Sequence, residues 1–404
     1  MIAQLYRSEY SKMVSVLCSR FGFEQIDAAE DIVSETFLSA AETWGLKGVP
    51  DNPVAWLYKV ARNNALNGLK HDRVFRDRVR GVLIREASGD ASGAPEPGLD
   101  FTPEGIADSQ LRMLFAVCHP AIALEGQVCL SLRVLCSFGI DEIARALLTN
   151  TATVNKRLYR AKEKLRSEHF SLEAVHGSRL DAVLVTLYLL FNEGYYSASP
   201  DHVLRKDLCL EAMRLTYLVA QHPRLVRLDV YSLLALMCFQ ASRFAARLGP
   251  SGQLILYEDQ DRDTWDKELI DRGNYFFVQA CGPADPGRYH LEAAIAWWHT
   301  HPADSREKWE NILLLYNRLL SVHYTPVAAL NRAYAFARVY GCAKAIPEVE
   351  DLGLDGNLFY HSLLGELYTG IDKGKAVLHL EMALSLAGSA AEKEVLTRKL
   401  SCIL

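Results

Sequence analysis

The sequence predicts an all-α protein: two small helical domains, the second built on a helix-turn-helix, followed by a long α-helical solenoid. Three observations predict it. Apolar residues fall at i, i+3, i+4 and i+7 in segment after segment; the stretch 140–166 reads as two short helices around a tight turn; and residues 86–103, rich in Gly, Ala, Ser and Pro, interrupt the pattern.

The bulk numbers suit such a protein. Of 404 residues half are hydrophobic and 23% charged, which is globular composition sufficient for two or three domains. The net charge of −5 argues against nucleic acid until its placement is considered. Lys70, Arg73, Arg76, Arg78 and Arg80 form one basic cluster and residues 156–166 another, while the acidic excess lies beyond residue 171. A mildly acidic chain can bind DNA through two local patches. Nine cysteines, an odd number without a C-x-x-C pair, read as reduced core residues of a cytosolic protein. The N-terminus lacks a signal-peptide arrangement and no apolar run reaches about 18 residues, so the expected location is cytoplasmic, with no membrane partner.

Taken in order, residues 2–21 place Leu5, Tyr6, Tyr10, Met13, Val14, Leu17 and Phe21 on one helical side. Residues 27–44 bury Ala29, Val33, Phe37, Ala40 and Trp44 and turn Asp27, Glu30, Asp31, Ser34 and Glu35 outward, an acidic face that is either solvated or docks a basic helix. A loop follows, closing on Asn52 as N-cap and Pro53 at the first helical position. The third helix buries Trp56, Leu57, Val60, Ala61, Ala65 and Leu69 and offers Arg62, Asn63, Asn64, Asn67, Lys70 and Arg73. Asparagines are poor helix formers, so their placement beside arginines suggests a reading face. The expected boundaries are a first domain at 1–80, a flexible linker at 81–105, a second domain at 106–170 and an extension at 171–404.

In IDEIARALLTNTATVNKRLYRAKEKLR (140–166), Ile140, Ile143, Ala144 and Leu147 make one stripe, Thr149, Asn150 and Thr151 break it, and Thr151 or Thr153 caps the next helix. There Val154, Leu158, Ala161 and Leu165 face inward. Asn155, Lys156, Arg157, Tyr159, Arg160, Lys162, Lys164 and Arg166 are left to solvent. Arginine can take guanine bidentately, asparagine pairs with adenine, and lysines supply salt-sensitive attraction to phosphates.

AAEDIVSETFLSAAETW (28–44), NPVAWLYKVARNNALNGLK (52–70) and FGIDEIARALLTNTATVNKRLYRAKEKLR (138–166), in this order, resemble the bacterial extracytoplasmic-function sigma factors of the sigma-70 family. The resemblance implies that Asp31, Ser34 and Glu35 bind core RNA polymerase, whose clamp and flap are the expected contacts. It implies that the segment 47–52 with Arg62, Asn63, Asn67 and Lys70 reads the −10 element of promoter DNA, and that Asn155, Lys156, Arg157, Tyr159 and Arg160 read the −35 element. Ser34 stands where the family often has Gln, and Asn155 where it often has a basic residue. Neither task requires a nucleophile, cofactor or metal.

Beyond residue 171 amphipathic helices continue. A 34-residue offset relates Leu330 to Leu364 and Tyr334 to Tyr368, with Ala376 and Ala383 where a tetratricopeptide repeat wants small residues, so the extension reads as a TPR-like solenoid. With LYLLFNEGYYSAS (187–199) it resembles the sigma-factor group carrying a large C-terminal extension, which implies control by intramolecular contact of the extension with the sigma domains. Gly194 reads as a helix stop, Cys118-His119-Pro120 as a helix end, and YEDQDRDTWDKELIDRG (257–273) as a solvated loop and helix. His290, His299 and His301 do not share one helix face and suggest no metal. The rival reading is a TPR-containing helix-turn-helix adaptor or repressor; an enzyme is not expected, for want of a phosphate loop or nucleophile motif.

Overall fold

The computed structural model describes residues 1–71, 99–167, 177–196, 202–225, 227–247, 257–282, 285–388 and 390–403, with positions 249 and 255. Among the described residues there are eighteen α-helices and no strand, as the periodicity requires. The chain divides into two compact units, Met1–Gly194 with Gln221–Leu225, and Tyr195–Ala220 with Val226–Leu404.

In the first unit α1 (Ile2–Phe21) packs on α2 (Ile26–Lys47), and α3 (Pro53–His71) lies against both. Tyr10, Met13, Val14 and Leu17 of α1 and Val33, Phe37, Ala40 and Trp44 of α2 are buried. The Asn52 side-chain oxygen accepts from Ala55 N at 3.0 Å, capping α3 as the sequence proposes. Helix α4 (Pro103–Val117) begins under a Thr102 cap and packs along α1. Helices α5 (Leu124–Val134), α6 (Ile140–Ala146) and α7 (Thr151–Ser167) complete a helix-turn-helix, with Glu142 accepting from Gly139 N at 2.7 Å. The cap of α7 is neither threonine: Asn150, one position earlier, accepts from Thr153 N at 2.8 Å. Helix α8 (Leu180–Tyr196) runs through Gly194 and does not stop there; Tyr195, the next residue, is buried.

The second unit contains α9 (His202–Gln221), α10 (Leu228–Ala241), α11 (Lys267–Gln279), α12 (Arg288–Thr300), α13 (Arg306–Val322), α14 (Pro326–Tyr340), α15 (Cys342–Glu350), α16 (Leu358–Tyr368), α17 (Lys373–Leu386) and α18 (Ala390–Ser401). From α10 onward each helix packs on its neighbours in sequence. Leu330, Leu364 and Tyr368, singled out by the 34-residue offset, meet in one core cluster with Ala376, and Tyr334, partly buried, packs against it. A Cβ on Gly365 would lie 2.7 Å from Leu380 Cγ, so a glycine lets α16 and α17 approach. Six cysteines are buried, but Cys281, Cys342 and Cys402 are exposed, contrary to a uniform core role.

The stretch 257–273 is not simply solvated. Its charged residues face water, while Trp265 is 5% exposed and the Tyr257 hydroxyl donates to the His299 carbonyl at 2.8 Å, pinning the acidic loop by its aromatics.

Candidate polymerase and nucleic-acid interfaces

On α2, Asp31, Ser34 and Glu35 are exposed along one i, i+3, i+4 stripe. The Ser34 hydroxyl donates back to the Glu30 carbonyl at 2.7 Å, leaving the two carboxylates as the open charge of this face. Beyond the helix C-terminus, Gly48 adopts φ 83° and starts a turn on which Val49, Asp51 and Asn52 are exposed. Leu46 is 89% exposed beside it. Trp44 and Trp56 meet edge to face at 5.3 Å behind this loop and buttress it. An exposed apolar and polar loop on a rigid support is the surface on which unstacked bases can be accommodated.

Helix α3 exposes Arg62 and Asn63. The Asn67 and Lys70 backbones lie in α3, but their side chains fall outside the described residues. Arg62 already has a partner: its Nη2 donates to the Leu99 carbonyl at 2.8 Å. Two residues on, the Phe101 ring stacks on Tyr58 at 4.6 Å and 12°. The Tyr58 hydroxyl donates to Glu9 at 2.5 Å, and burial together with that carboxylate raises its pKa. The short segment 99–101 therefore lies on the face expected to read the −10 element. Nothing in the spacing of residues 86–103 signals this, because the contacts depend on two residues, Leu99 and Phe101, at the edge of a low-complexity stretch.

Helix α7 divides its polar residues between two directions. Asn155, Lys156, Tyr159 and Arg160 are exposed, Tyr159 at 65%. Arg157 is half-buried and acts electrostatically on Cys129 and on Glu193; burial raises the Glu193 carboxyl and Arg157 opposes it. Lys162 and Arg166, expected in solvent, turn to α2. Lys162 Nζ donates to Asp27 at 2.8 Å and also to Glu30, and Arg166 pairs with Asp27.

Glu30 is the centre of this contact and is only 6% exposed, not a solvated member of the acidic face. It accepts from Tyr10 at 2.8 Å and from Arg133 of α5 at 2.8 Å as well as from Lys162. Burial alone would raise its pKa, but Lys162 and Arg133 outweigh burial and hold the carboxyl below its ordinary range. Arg7 and Glu142, 2.6 Å apart, add an ion pair between α1 and α6. The sequence carries one signal of this arrangement, the acidic face with its alternative of a basic docking helix. Which acids would dock was not legible, since Asp27 and Glu30 share their stripe with Asp31 and Ser34.

Three family descriptions match the chain: sigma-70 region 2 over residues 5–74, sigma-70 region 4 over 126–165, and a family of unknown function, DUF6596, over 179–281. An uncharacterized protein of Rhizobium meliloti (strain 1021) is 33% identical over 385 residues, covering 92% of this chain and 88% of its own length. No solved structure matches the chain.

Proposed function

The chain belongs to the sigma-70 family, and from that premise we propose that it acts as an extracytoplasmic-function-type sigma factor with its own regulon. A sigma-70 protein serves promoter recognition and transcription initiation. In the finer reading, the α2 stripe of Asp31, Ser34 and Glu35 engages core RNA polymerase. The loop after α2 with Arg62, Asn63, Asn67 and Lys70 of α3 reads the −10 element, and Asn155, Lys156, Arg157, Tyr159 and Arg160 of α7 read the −35 element. The work is done in the cytoplasm, and the TPR-like helices beyond residue 171 regulate it.

One observation carries this reading: two separate helices, α3 and α7, each carry exposed Arg and Asn, and the second follows a capped turn in a helix-turn-helix. A repressor needs only the second. Co-purification with core polymerase and a run-off transcript distinguish the two functions.

Arg160→Ala removes one base- or phosphate-reaching guanidinium from an exposed site. The expected loss is about 1–3 kcal/mol of −35 affinity, roughly 5- to 150-fold, with core binding intact. Glu35→Lys reverses a charge on the polymerase-facing stripe and should weaken core binding itself. Run-off transcription and core pull-down read the two effects separately. Unchanged initiation by Arg160→Ala would remove α7 from the −35 role.

A further inference from the structure

We propose that the second unit holds a binding site for a small phosphorylated molecule, whose phosphoryl group is taken by Arg243, Trp265, His299 and Lys308 around the Tyr257 ring. The inference stands apart from the sigma-factor reading, since none of these residues belongs to a helix expected to touch polymerase or promoter.

Four segments bring the cluster together. Arg243 follows α10, Trp265 precedes α11, His299 lies in the last turn of α12 and Lys308 in the first turn of α13. Tyr257 is their common neighbour. Lys308 Nζ stands 5.4 Å from its ring centre and the Arg243 guanidinium carbon 5.3 Å, while the His299 and Trp265 rings lie 5.0 and 6.2 Å away. The Tyr257 hydroxyl itself is committed, donating to the His299 carbonyl and accepting from Lys308.

Three of the four residues carry a buried nitrogen without a hydrogen-bond partner: Arg243 Nε, Trp265 Nε1 and His299 Nδ1. The first two can only donate, and Trp265 is buried. Buried donors of this kind are nearly always paired, because an unmade hydrogen bond leaves the cost of desolvation uncovered. Lys308, also buried, uses two of its three N–H groups, on Tyr257 and on the His301 carbonyl.

Charge points the same way. Among the described residues neither Arg243 nor Lys308 has a carboxylate at ion-pair distance; Arg243 donates to the Tyr195 hydroxyl at 3.1 Å. Asp304 and Glu258, the carboxylates that act on Tyr257, are both paired with Arg338. Lys308 also sits at the positive end of α13, where an anion is favoured and a cation is not. Two titrations register the excess. Burial, then Arg243 and Lys308, hold His299 down at about 3, so the ring is neutral with one N–H to give. Burial would raise the Tyr195 phenol, yet Arg243 and Arg247 outweigh it and lower the pKa. A phosphoryl group brings a charge of about −1.5 to −2 and three acceptor oxygens, which answers two uncompensated cations and the remaining N–H groups; a carboxylate brings about half that charge.

Two measurements on the full-length chain test the site. Nitrogen-15 spectra read the Trp265 indole N–H directly, its signal among those of the six tryptophans being assigned by its loss in Trp265→Phe. Sodium phosphate is titrated at neutral pH, with sodium chloride adjusted to hold ionic strength constant. A saturable shift of the Trp265 signal is expected, with a Kd of about 1 mM or tighter. Acetate is expected to bind about fivefold more weakly or worse. No shift, or a shift that chloride reproduces, overturns the site; equal affinity for acetate overturns the phosphoryl assignment.

The second measurement is equilibrium dialysis with radiolabelled phosphate. Lys308→Met and Trp265→Phe should each weaken binding by about fivefold or more. Arg306→Gln, which removes an exposed cation from the same helix as Lys308, should leave it unchanged. Trp265→Phe keeps an aromatic ring and loses the donor, so it decides the matter if Lys308→Met does not fold. Equal affinity in the wild type and Trp265→Phe would place the phosphate elsewhere on the chain and overturn the proposal.

Discussion

A lysine ammonium taken out of water needs hydrogen-bond acceptors and a counter-charge, and Lys308 has the first in better supply than the second. It is 1% exposed and donates to the Tyr257 hydroxyl at 3.0 Å and the His301 carbonyl at 2.9 Å. Burial lowers its pKa to about 8; Arg262, Arg243 and Arg338 push the same way, and Asp304 only partly opposes them. The sign follows directly. Between about pH 8 and the ordinary lysine value near 10.5 the unfolded chain holds this proton and the folded chain does not, so the Lys308 contribution rises with pH through that window. Denaturant unfolding of the wild type and Lys308→Met, compared at pH 8 and pH 10, should show the wild type gaining relative to the variant. Parallel stabilities at both values would remove Lys308 from the pH dependence. The sequence half-discloses this residue: Lys308 stands four before Ile312 on the apolar face of α13, a position the period assigns inward. What it cannot disclose is Tyr257, 51 positions earlier in an acidic loop, as the acceptor. Composition marked that loop as solvated because charges outnumber aromatics, but the aromatics decide where it is anchored.

The turn of the helix-turn-helix shows where local pattern ends and backbone geometry begins. Val154, Leu158, Ala161 and Leu165 are all buried, as the 3.6-residue period of α7 demands, and Ile143 and Ala144 are buried opposite them. The break at Thr149 and Asn150 was equally legible. The strained position was not: Leu148 adopts φ 47° with its side chain 64% exposed. A left-handed non-glycine residue costs about 1–2 kcal/mol, and nothing in a leucine announces that conformation. Leu148→Gly relieves the strain and sacrifices little packing, while glycine's extra unfolded-state freedom takes back about 0.5–1 kcal/mol. The expected net stabilisation is about 0.5–1 kcal/mol, seen as a higher unfolding midpoint in urea with an unchanged slope. A lower midpoint would mean that the Leu148 side chain contributes more than its exposure indicates. On the same helix, Lys162 borders the apolar stripe, and at such a border the period gives no direction; the acids of α2, more than 130 positions earlier, supply it.

At the scale of the whole molecule, what the first unit includes decides how any regulatory test must be built. The family resemblance ends near residue 170, whereas the first compact unit runs on to Gly194 and takes in most of α8. A buried amide shows the connection in atomic terms. Gln127 of α5 is 5% exposed; its Nε2 donates to the His119 carbonyl at 3.1 Å and the Ile122 carbonyl at 2.8 Å, and its Oε1 accepts from the Thr186 hydroxyl of α8 at 2.8 Å. An acceptor left unpaired in such a place costs about 1–3 kcal/mol. Thr186→Val, near-isosteric and without the hydroxyl, should lower the stability of the first unit by that amount. A chain ending at residue 170 loses Thr186 and the buried Leu180, Val183, Leu184, Leu187 and Leu190 with it, and should lose more. Transcription from such a chain would therefore fall for want of a stable α5–α7, whatever the remaining helices do. The informative comparison sets the full chain against one ending at residue 196, with thermal unfolding measured on both and on the 170-residue form. Equal output from the full chain and the 196-residue form, at equal stability, would dismiss control by the extension. If the 170-residue form unfolds at the same temperature as the 196-residue form, neither α8 nor the Thr186 to Gln127 hydrogen bond contributes to the stability of the unit.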